Sequence, residues 1–247
     1  GTNVVNEVVD YEKGVDTIEH RAPSRVIVEK RLEGQQAYPG GIAMLVVAVL
    51  LGFWLAWRST WWVLALGILG AVAGYFYTGG PKGYKYLGLG VPLVFVLMGP
   101  LMVLASYLVQ RPTFSWLPLL LSLPVGCLVA AILHANDMRD IPFDRGAQIA
   151  TLSGSVGLQA ARRIYFGLVS AAYLAVLILV LTKTISPWAL LALLSVVAAR
   201  EPWRRVVAGA RSPELLAPVE PMTAQLHLVF NVLLALGVAL PAVVGTV

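Results

Sequence analysis

The chain has 247 residues, of which 58% are hydrophobic and 13% are charged, and its formal net charge is +5. A soluble domain of this length could not bury so much apolar surface in one core, so the composition predicts a membrane protein. The single cysteine, Cys127, excludes an internal disulfide. Lys and Arg residues beside membrane spans account for the net charge, so it does not indicate nucleic-acid binding.

Seven apolar segments are predicted to cross the bilayer as helices of an all-α bundle. They lie near residues 37–57, 61–80, 87–109, 115–135, 164–182, 186–199 and 225–245. Most are close to the roughly 20 residues that cross about 30 Å of hydrocarbon as a helix. The sixth segment is short, because Pro187 and Arg200 bound it.

The charged residues predict how the chain is oriented in the membrane. If the N-terminal segment is cytoplasmic, every Lys and Arg except Arg58, Arg111 and Lys183 lies on the cytoplasmic side, in agreement with the positive-inside rule. All 13 Asp and Glu residues lie on that side as well. The opposite face carries six tryptophans typical of an aromatic belt, namely Trp54, Trp57, Trp61, Trp62, Trp116 and Trp188. We therefore expect a multi-pass protein of the plasma membrane with its polar site on the cytoplasmic side.

Two acidic clusters, each led by an asparagine, stand where apolar segments meet the cytoplasmic side. The first contains Asn6, Glu7, Asp10 and Asp16, and the second contains Asn136, Asp137, Asp140 and Asp144. Carboxylate and amide oxygens are the hard ligands that Mg²⁺ prefers, and Mg²⁺ often shares its coordination shell with phosphate oxygens. The clusters therefore predict a magnesium site for a diphosphate substrate.

Both clusters resemble motifs of a known family. Residues 6–16 (NEVVDYEKGVD) resemble the first Asp-rich motif of the UbiA-type intramembrane prenyltransferases, in the form typical of the branch that acts on 1,4-dihydroxy-2-naphthoate. Residues 136–145 (NDMRDIPFDR), followed by Thr151, Leu152 and Gly157, resemble the second motif. The stretch 75–90 is similar to the loop between the fourth and fifth spans of that branch, and residues 223–228 also fit. The resemblance covers nearly the whole chain.

The resemblance implies a bundle of nine helices around a central cavity, with the two motifs facing each other under a cytoplasmic cap. Residues 1–247 would form a single transmembrane prenyltransferase domain holding seven of the nine helices, without the first helix and most of the second. No apolar span precedes the first acidic cluster. We therefore expect the natural protein to be longer at its N-terminus.

The activity implied by the resemblance is Mg²⁺-dependent transfer of a prenyl group from a polyprenyl diphosphate to an aromatic acceptor. The Gly14-x-Asp16 ending of the first motif and the loop at 77–81 favour 1,4-dihydroxy-2-naphthoate, with decarboxylation, as in menaquinone biosynthesis. A benzenoid acceptor such as 4-hydroxybenzoate or homogentisate is the alternative.

Specific roles follow from the matched positions. Asp10, Asp140 and Asp144 are predicted as the catalytic metal ligands, and Asn6, Asn136 and Asp16 as residues that complete the metal shells. Arg139 and Arg145 are predicted to bind phosphate oxygens through the planar guanidinium group. Lys82 and Tyr77 are further candidates for substrate binding, with membrane-interface roles as the alternative.

The sequence supports separate predictions for four further residues. Ile149 stands where the family commonly has a lysine, so one cation near the diphosphate is missing. Pro142 predicts that its helix ends or kinks near Ile141, because proline lacks a backbone donor and restricts the residue before it. His134 and His227 are predicted to be packing residues with satisfied hydrogen bonds rather than bases.

Two other classes of membrane protein compete with the prenyltransferase hypothesis. A CDP-alcohol phosphotransferase also uses spaced aspartates and a metal, but it needs a D-G-x-x-A-R string that this sequence does not contain. A transporter or a non-catalytic membrane protein would more naturally place ionisable residues in mid-span, whereas the carboxylates here lie at one end of the predicted spans.

Overall fold

The computed structural model describes residues 1–12, 14, 26–77, 79, 83–146 and 149–244. The α-helices within those ranges are α1 (Thr2–Glu12), α2 (Gly34–Arg58), α3 (Trp61–Tyr75), α4 (Gly90–Val96), α5 (Met102–Gln110), α6 (Trp116–Gly146), α7 (Leu152–Val156), α8 (Leu158–Leu181), α9 (Val196–Ala208) and α10 (Val219–Val244). A π-helical turn at Leu97–Leu101 joins α4 to α5, and 3₁₀ helices lie at Tyr84–Tyr86, Pro187–Ser195 and Pro213–Leu216. An isolated parallel bridge pairs Leu87 with Ala150.

Five of the described helical segments are long and apolar enough to cross a membrane. They are Gly34–Arg58, Gly90–Gln110, Trp116–Gly146, Leu158–Leu181 and Pro213–Pro241. Helix α3 is apolar but has 15 residues, which span about 22 Å at the rise of an α-helix. The predicted all-α, multi-pass membrane class is confirmed, and the number of long spans is smaller than the seven predicted.

Two helices run further than predicted. Helix α6 continues through Pro142 to Gly146, so the helix does not end near Ile141 as one of the two predicted outcomes required, and the alternative, a kink, stays a prediction. A proline removes one backbone donor but its φ angle is compatible with a helix, and Met138 and Ile141 bury apolar side chains in these last turns. The segment predicted to end before Arg200 is a 3₁₀ helix that leads into α9 and ends at Ala208.

One compact unit comprises Gly1–Gly90, Ala105–Phe114 and Pro142–Ser155. In this unit α2 and α3 form a helical hairpin, and α1 packs against it with Val5 and Val8 buried. Close approach of α1 depends on two glycines. A Cβ atom at Gly41 would lie 2.9 Å from Val5, and one at Gly74 would lie 2.6 Å from the Thr2 hydroxyl. Small residues at such contacts let helices in membranes approach closely.

The second compact unit comprises Val91–Leu104, Ser115–Ile141 and Val156–Val247. Its apolar core includes Leu128, Tyr165, Val176 and Phe230. Two buried polar side chains beside this core are paired, as burial requires. The Tyr165 hydroxyl hydrogen bonds to Thr223 Oγ1 at 2.8 Å, and His134 Nε2 lies 2.8 Å from the Ala161 carbonyl oxygen. The prediction that His134 is a packing residue with a satisfied hydrogen bond therefore agrees with the structure.

Gly237 marks the tightest helix contact in the second unit. A Cβ atom there would collide with the Trp188 carbonyl oxygen and would lie 2.6 Å from Ala189 Cα. We expect Gly237→Ala to lower the free energy of unfolding by about 1–3 kcal/mol through overpacking. Gly167→Ala is the matched control, because a Cβ at this position of α8 meets no atom within 4 Å. Thermal unfolding in detergent micelles tests the pair, and equal stability of the two variants would contradict the close contact.

Candidate active site

Asp10 is the buried carboxylate of the first motif. Helix α1 places it on the side that faces the loop after α3, and its side chain is 2% exposed. Lys85 Nζ donates to Asp10 Oδ2 at 2.6 Å, and the Tyr86 hydroxyl donates to Asp10 Oδ1 at 2.5 Å. A buried carboxylate is costly unless it is paired and hydrogen bonded. The pair of donors from the loop therefore compensates the burial of Asp10.

The loop that carries Lys85 is held by tyrosines. The Tyr84 hydroxyl donates to the Ala73 carbonyl oxygen at the end of α3, and burial raises the pKa of Tyr84, so the hydroxyl remains a donor at neutral pH. The Tyr77 ring packs edge-on against the Tyr84 ring with 5.4 Å between centroids. Tyr77 therefore supports the 3₁₀ turn at Tyr84–Tyr86, and its predicted contact with substrate stays a prediction.

The same loop contacts the end of the second motif. Leu87 forms the parallel bridge with Ala150, and Gly88 follows with a φ of +74°. A Cβ at Gly88 would lie 3.2 Å from the Ala150 carbonyl oxygen, in a backbone conformation that favours glycine. Thr151 is the next residue after Ala150 in the chain. The first motif and the residues after α6 are thus joined through one loop within the first unit.

Asp144, the last carboxylate of the second motif, is buried and hydrogen bonded locally. Thr151 Oγ1 donates to Asp144 Oδ2 at 2.9 Å and also accepts from the Gly154 backbone N–H at 3.2 Å. Thr151 therefore caps the N-terminus of α7 and orients Asp144 at the same time. Asp10 and Asp144 belong to the same compact unit.

The leading residues of the first motif have distinct environments. The Oδ1 atom of Asn6 is buried and has no hydrogen-bond partner among the described residues. Glu7 Oε1 accepts from the Ile27 backbone N–H at 3.3 Å. Asn6 and Asp10 are four residues apart on α1, so they share one helix face. The unpartnered oxygen of Asn6 is therefore available for a ligand beside Asp10.

Arg139 organises the second motif within the second unit. Its Nε and Nη2 atoms each donate to Asp140 at 2.7 Å, so the contact is bidentate. Nη2 also donates to Asn136 Oδ1 at 2.6 Å, and Nη1 donates to Glu220 Oε2 at 2.6 Å. Glu220 lies in the first turn of α10. The guanidinium group of Arg139 thus joins Asn136 and Asp140 of the motif to the last span.

Each unit carries buried oxygen donors of the kind that a hard divalent cation prefers. The first unit has the carboxylates of Asp10 and Asp144 and the Asn6 oxygen, and the second has the carboxylates of Asp137 and Asp140. In the described part of the chain, no three His, Cys, Asp or Glu side chains are grouped around a common metal position. A metal held within either unit would therefore use amide or substrate oxygens as well as carboxylates.

The remaining predicted residues differ in placement. Asp16 and Lys82 lie outside the described residues, whereas Arg145 lies in the last turn of α6 with an exposed side chain. Ile149, which stands at the lysine position of the family, is buried at 9% exposure. An apolar side chain there packs into the first unit.

Sequence reasoning missed four contacts with the predicted site residues. Tyr86, Thr151 and Glu220 are absent from the predicted substrate and metal ligands, and so is Lys85, which the positive-inside rule already explains. Glu220 carried a usable signal, because it is an acidic residue at the start of the last span. The contact between Lys85 and Asp10 joins residues 75 positions apart, so no local pattern indicates it.

Comparisons with known proteins agree with the motifs and the fold. A sequence profile of the UbiA prenyltransferase family matches residues 1–217. The 1,4-dihydroxy-2-naphthoate octaprenyltransferase of Bacillus subtilis is 30% identical over 96% of this chain and 76% of that protein. The Mycobacterium tuberculosis enzyme of the same name is 31% identical over 79% of this chain and 65% of that protein.

Other relatives share the same family. Human UbiA prenyltransferase domain-containing protein 1 is 33% identical over 74% of this chain and 54% of that protein. A solved structure of digeranylgeranylglyceryl phosphate synthase has the same fold, with a TM-score of 0.59 over 96% of this chain and 80% of that one, at 16% identity. The chain therefore belongs to the UbiA prenyltransferase family and is a membrane prenyltransferase.

Proposed function

We propose that this protein transfers a prenyl group from a polyprenyl diphosphate to 1,4-dihydroxy-2-naphthoate, with loss of the carboxylate, in menaquinone biosynthesis. Prenyl transfer to an aromatic acceptor has the support of the family and of the named relatives. The main structural support for the site is that one loop contacts both motifs within one compact unit. Lys85 of this loop binds Asp10, and Leu87 pairs with Ala150, which follows the Asp144 segment. Carboxylates and a cation are the groups that a metal-bound diphosphate needs.

Asp10, Asp140 and Asp144 are the proposed ligands of Mg²⁺, with Asn6, Asn136 and Asp16 completing the shells. Bound Mg²⁺ would neutralise the diphosphate leaving group. Lys85 and Tyr86 donate hydrogen bonds to Asp10 and orient its carboxylate, and Arg139 does the same for Asp140. Arg145, with its exposed side chain, and Lys82 are the proposed cations for outer phosphate oxygens.

The reaction breaks the allylic C–O bond, and its electron pair leaves with the diphosphate. The ring carbon of the acceptor that bears the carboxylate forms the new bond to the prenyl carbon. Carbon dioxide leaves as the ring regains aromaticity. The apolar spans supply a medium that holds the isoprenoid tail and excludes water from the cation. We place the site at the cytoplasmic face of the plasma membrane, because the basic residues flank the same span ends as the two motifs.

Mass spectrometry of the product tests this function. With 1,4-dihydroxy-2-naphthoate, a polyprenyl diphosphate and Mg²⁺, we expect a prenylated product that lacks the carboxyl group, and we expect removal of Mg²⁺ by EDTA to stop its formation. A parallel reaction contains 4-hydroxybenzoate. Turnover with the benzenoid acceptor alone, or a naphthoate product that retains its carboxyl group, would contradict the acceptor assignment. Diphosphate release without either prenylated product would contradict prenyl transfer itself.

A further inference from the structure

Two side-chain atoms of α10 are buried without a hydrogen-bond partner in the part of the chain that the structure describes. The Nε2 atom of His227 and the Oδ1 atom of Asn231 are both buried, and neither has a hydrogen-bond partner among the described residues. Both residues lie inside the apolar segment Pro213–Pro241, a candidate membrane span. An unpaired polar atom in such surroundings is costly, because no bulk water can replace the missing partner. His227 thus differs from His134, whose ring is hydrogen bonded.

The orientation of Asn231 defines the missing partner. Its Nδ2 atom donates to the His227 carbonyl oxygen at 2.8 Å, so the amide cannot be turned over without placing two oxygens against each other. Oδ1 therefore remains an acceptor that needs a donor. His227 Nε2 can donate in one neutral tautomer. A single hydroxyl group that reached both atoms would satisfy them, because a hydroxyl can donate to Asn231 Oδ1 and accept from His227 Nε2.

The two residues lie on the same side of α10 as the second motif network. At 100° per residue, Glu220, His227 and Asn231 fall within about 40° of one another around the helix axis. This polar stripe lies between a packed face and an exposed face. The packed face carries the buried residues Val219, Thr223, Leu226, Phe230 and Leu234, and the exposed face carries Gln225, Leu228, Val232 and Leu236.

Glu220 fixes the direction of the polar stripe, because its carboxylate accepts from Arg139, which also holds Asp140. His227 lies seven residues further along α10 and Asn231 eleven, which correspond to about 10 Å and about 16 Å along the axis. The stripe therefore runs from the Asp140 network into the apolar part of the span, where an aromatic ring is better solvated than a diphosphate.

We propose that His227 and Asn231 bind a ring hydroxyl of the aromatic acceptor. This inference rests on the proposed function, and it assigns the acceptor's hydroxyl, rather than the diphosphate, to α10. The prenylated product keeps the same hydroxyl and therefore has the same contact. His227 and Asn231 would distinguish an acceptor with a free hydroxyl from one whose hydroxyl is methylated. The methylated acceptor has no proton to donate, so it leaves the buried Asn231 oxygen unpaired.

Equilibrium binding without prenyl diphosphate tests the proposal independently of turnover. The protein in lipid nanodiscs is titrated with 1,4-dihydroxy-2-naphthoate and with each of its two monomethyl ethers, and naphthoate fluorescence is recorded. We expect one of the ethers to bind the wild-type protein about tenfold more weakly than the parent acceptor. Equal binding of all three compounds by the wild-type protein would overturn the proposal, and this comparison needs no variant to fold.

Two variants locate the effect. Asn231→Leu keeps the approximate size of the side chain but removes its oxygen, and we expect it to weaken binding of the parent acceptor about tenfold and to abolish the preference over the ether. Gln225→Leu is the matched control, because the amide of Gln225 lies on the exposed face of α10, and it should bind like the wild type. An Asn231→Leu protein that retains the preference would overturn the assignment.

The outcome also separates this inference from the proposed function. If the wild-type protein makes no prenylated naphthoate, the proposed function fails and the role of His227 and Asn231 fails with it. If the wild-type protein makes that product but binds the parent acceptor and both ethers alike, only the hydroxyl contact is wrong.

Discussion

Replacing Asp10 or Asp140 by asparagine is expected to lower turnover by about 10²- to 10³-fold and to leave the protein folded. Each substitution removes one negative charge and keeps the shape of the side chain. The amide oxygen introduced by Asp10→Asn can still accept from Lys85 or Tyr86, and the one introduced by Asp140→Asn can still accept from Arg139. The loss therefore measures the charge that the metal-bound diphosphate needs. Initial rates of diphosphate release over a range of Mg²⁺ concentrations provide the measurement.

The double variant decides whether the two motifs act together. If Asp10 and Asp140 serve one reacting diphosphate, the double variant should be little slower than either single variant, because residues that act as a unit are not additive. Glu201→Gln is the matched control, since Glu201 is a half-exposed carboxylate in a surface ion pair with Arg205, and it should retain wild-type turnover. Losses that multiply in the double variant would contradict a shared site.

Replacing Arg139 by methionine should destabilise the protein more than removal of any surface cation. The variant would leave the buried Asp140 and the partly buried Glu220 without the cation that contacts both. Breaking a buried ion pair by removing one partner costs about 3–5 kcal/mol, and we expect about 3 kcal/mol here because Glu220 keeps some contact with solvent. Thermal unfolding in detergent, followed by tryptophan fluorescence, measures the change.

Two further variants test the origin of that loss. Arg205→Met removes the cation of the exposed Arg205–Glu201 pair and should cost less than about 1 kcal/mol. Arg139→Lys should fall between Arg139→Met and the wild type, because an ammonium group cannot reproduce the bidentate contact with Asp140. Equal destabilisation by Arg139→Met and Arg205→Met would show that the Arg139 network does not stabilise the fold.

Local sequence was sufficient to predict the membrane class and the family of this protein. The apolar segments predicted the membrane class because the length and hydropathy of a span follow directly from the thickness of the bilayer. The spaced carboxylates of the two motifs predicted the family, since their residue types and intervals need no knowledge of the fold. The prediction that the helix could end near Ile141 also has a local origin, because proline disfavours a helix in general, whereas burial of Met138 and Ile141 accompanies its continuation here.

Only the tertiary structure decided what surrounds the predicted carboxylates. Lys85 reaches Asp10 across 75 residues of sequence, and Glu220 reaches Arg139 across 81. The sequence also did not indicate that atoms of His227 and Asn231 lack partners among the described residues, since a polar residue in a span can be satisfied by any neighbouring helix. Hydrophobic periodicity places a residue on a helix face, but it does not state which side chain lies opposite. Those partners depend on how the helices pack, because burial leaves each charge or polar atom to be satisfied by the nearest group in space rather than in sequence.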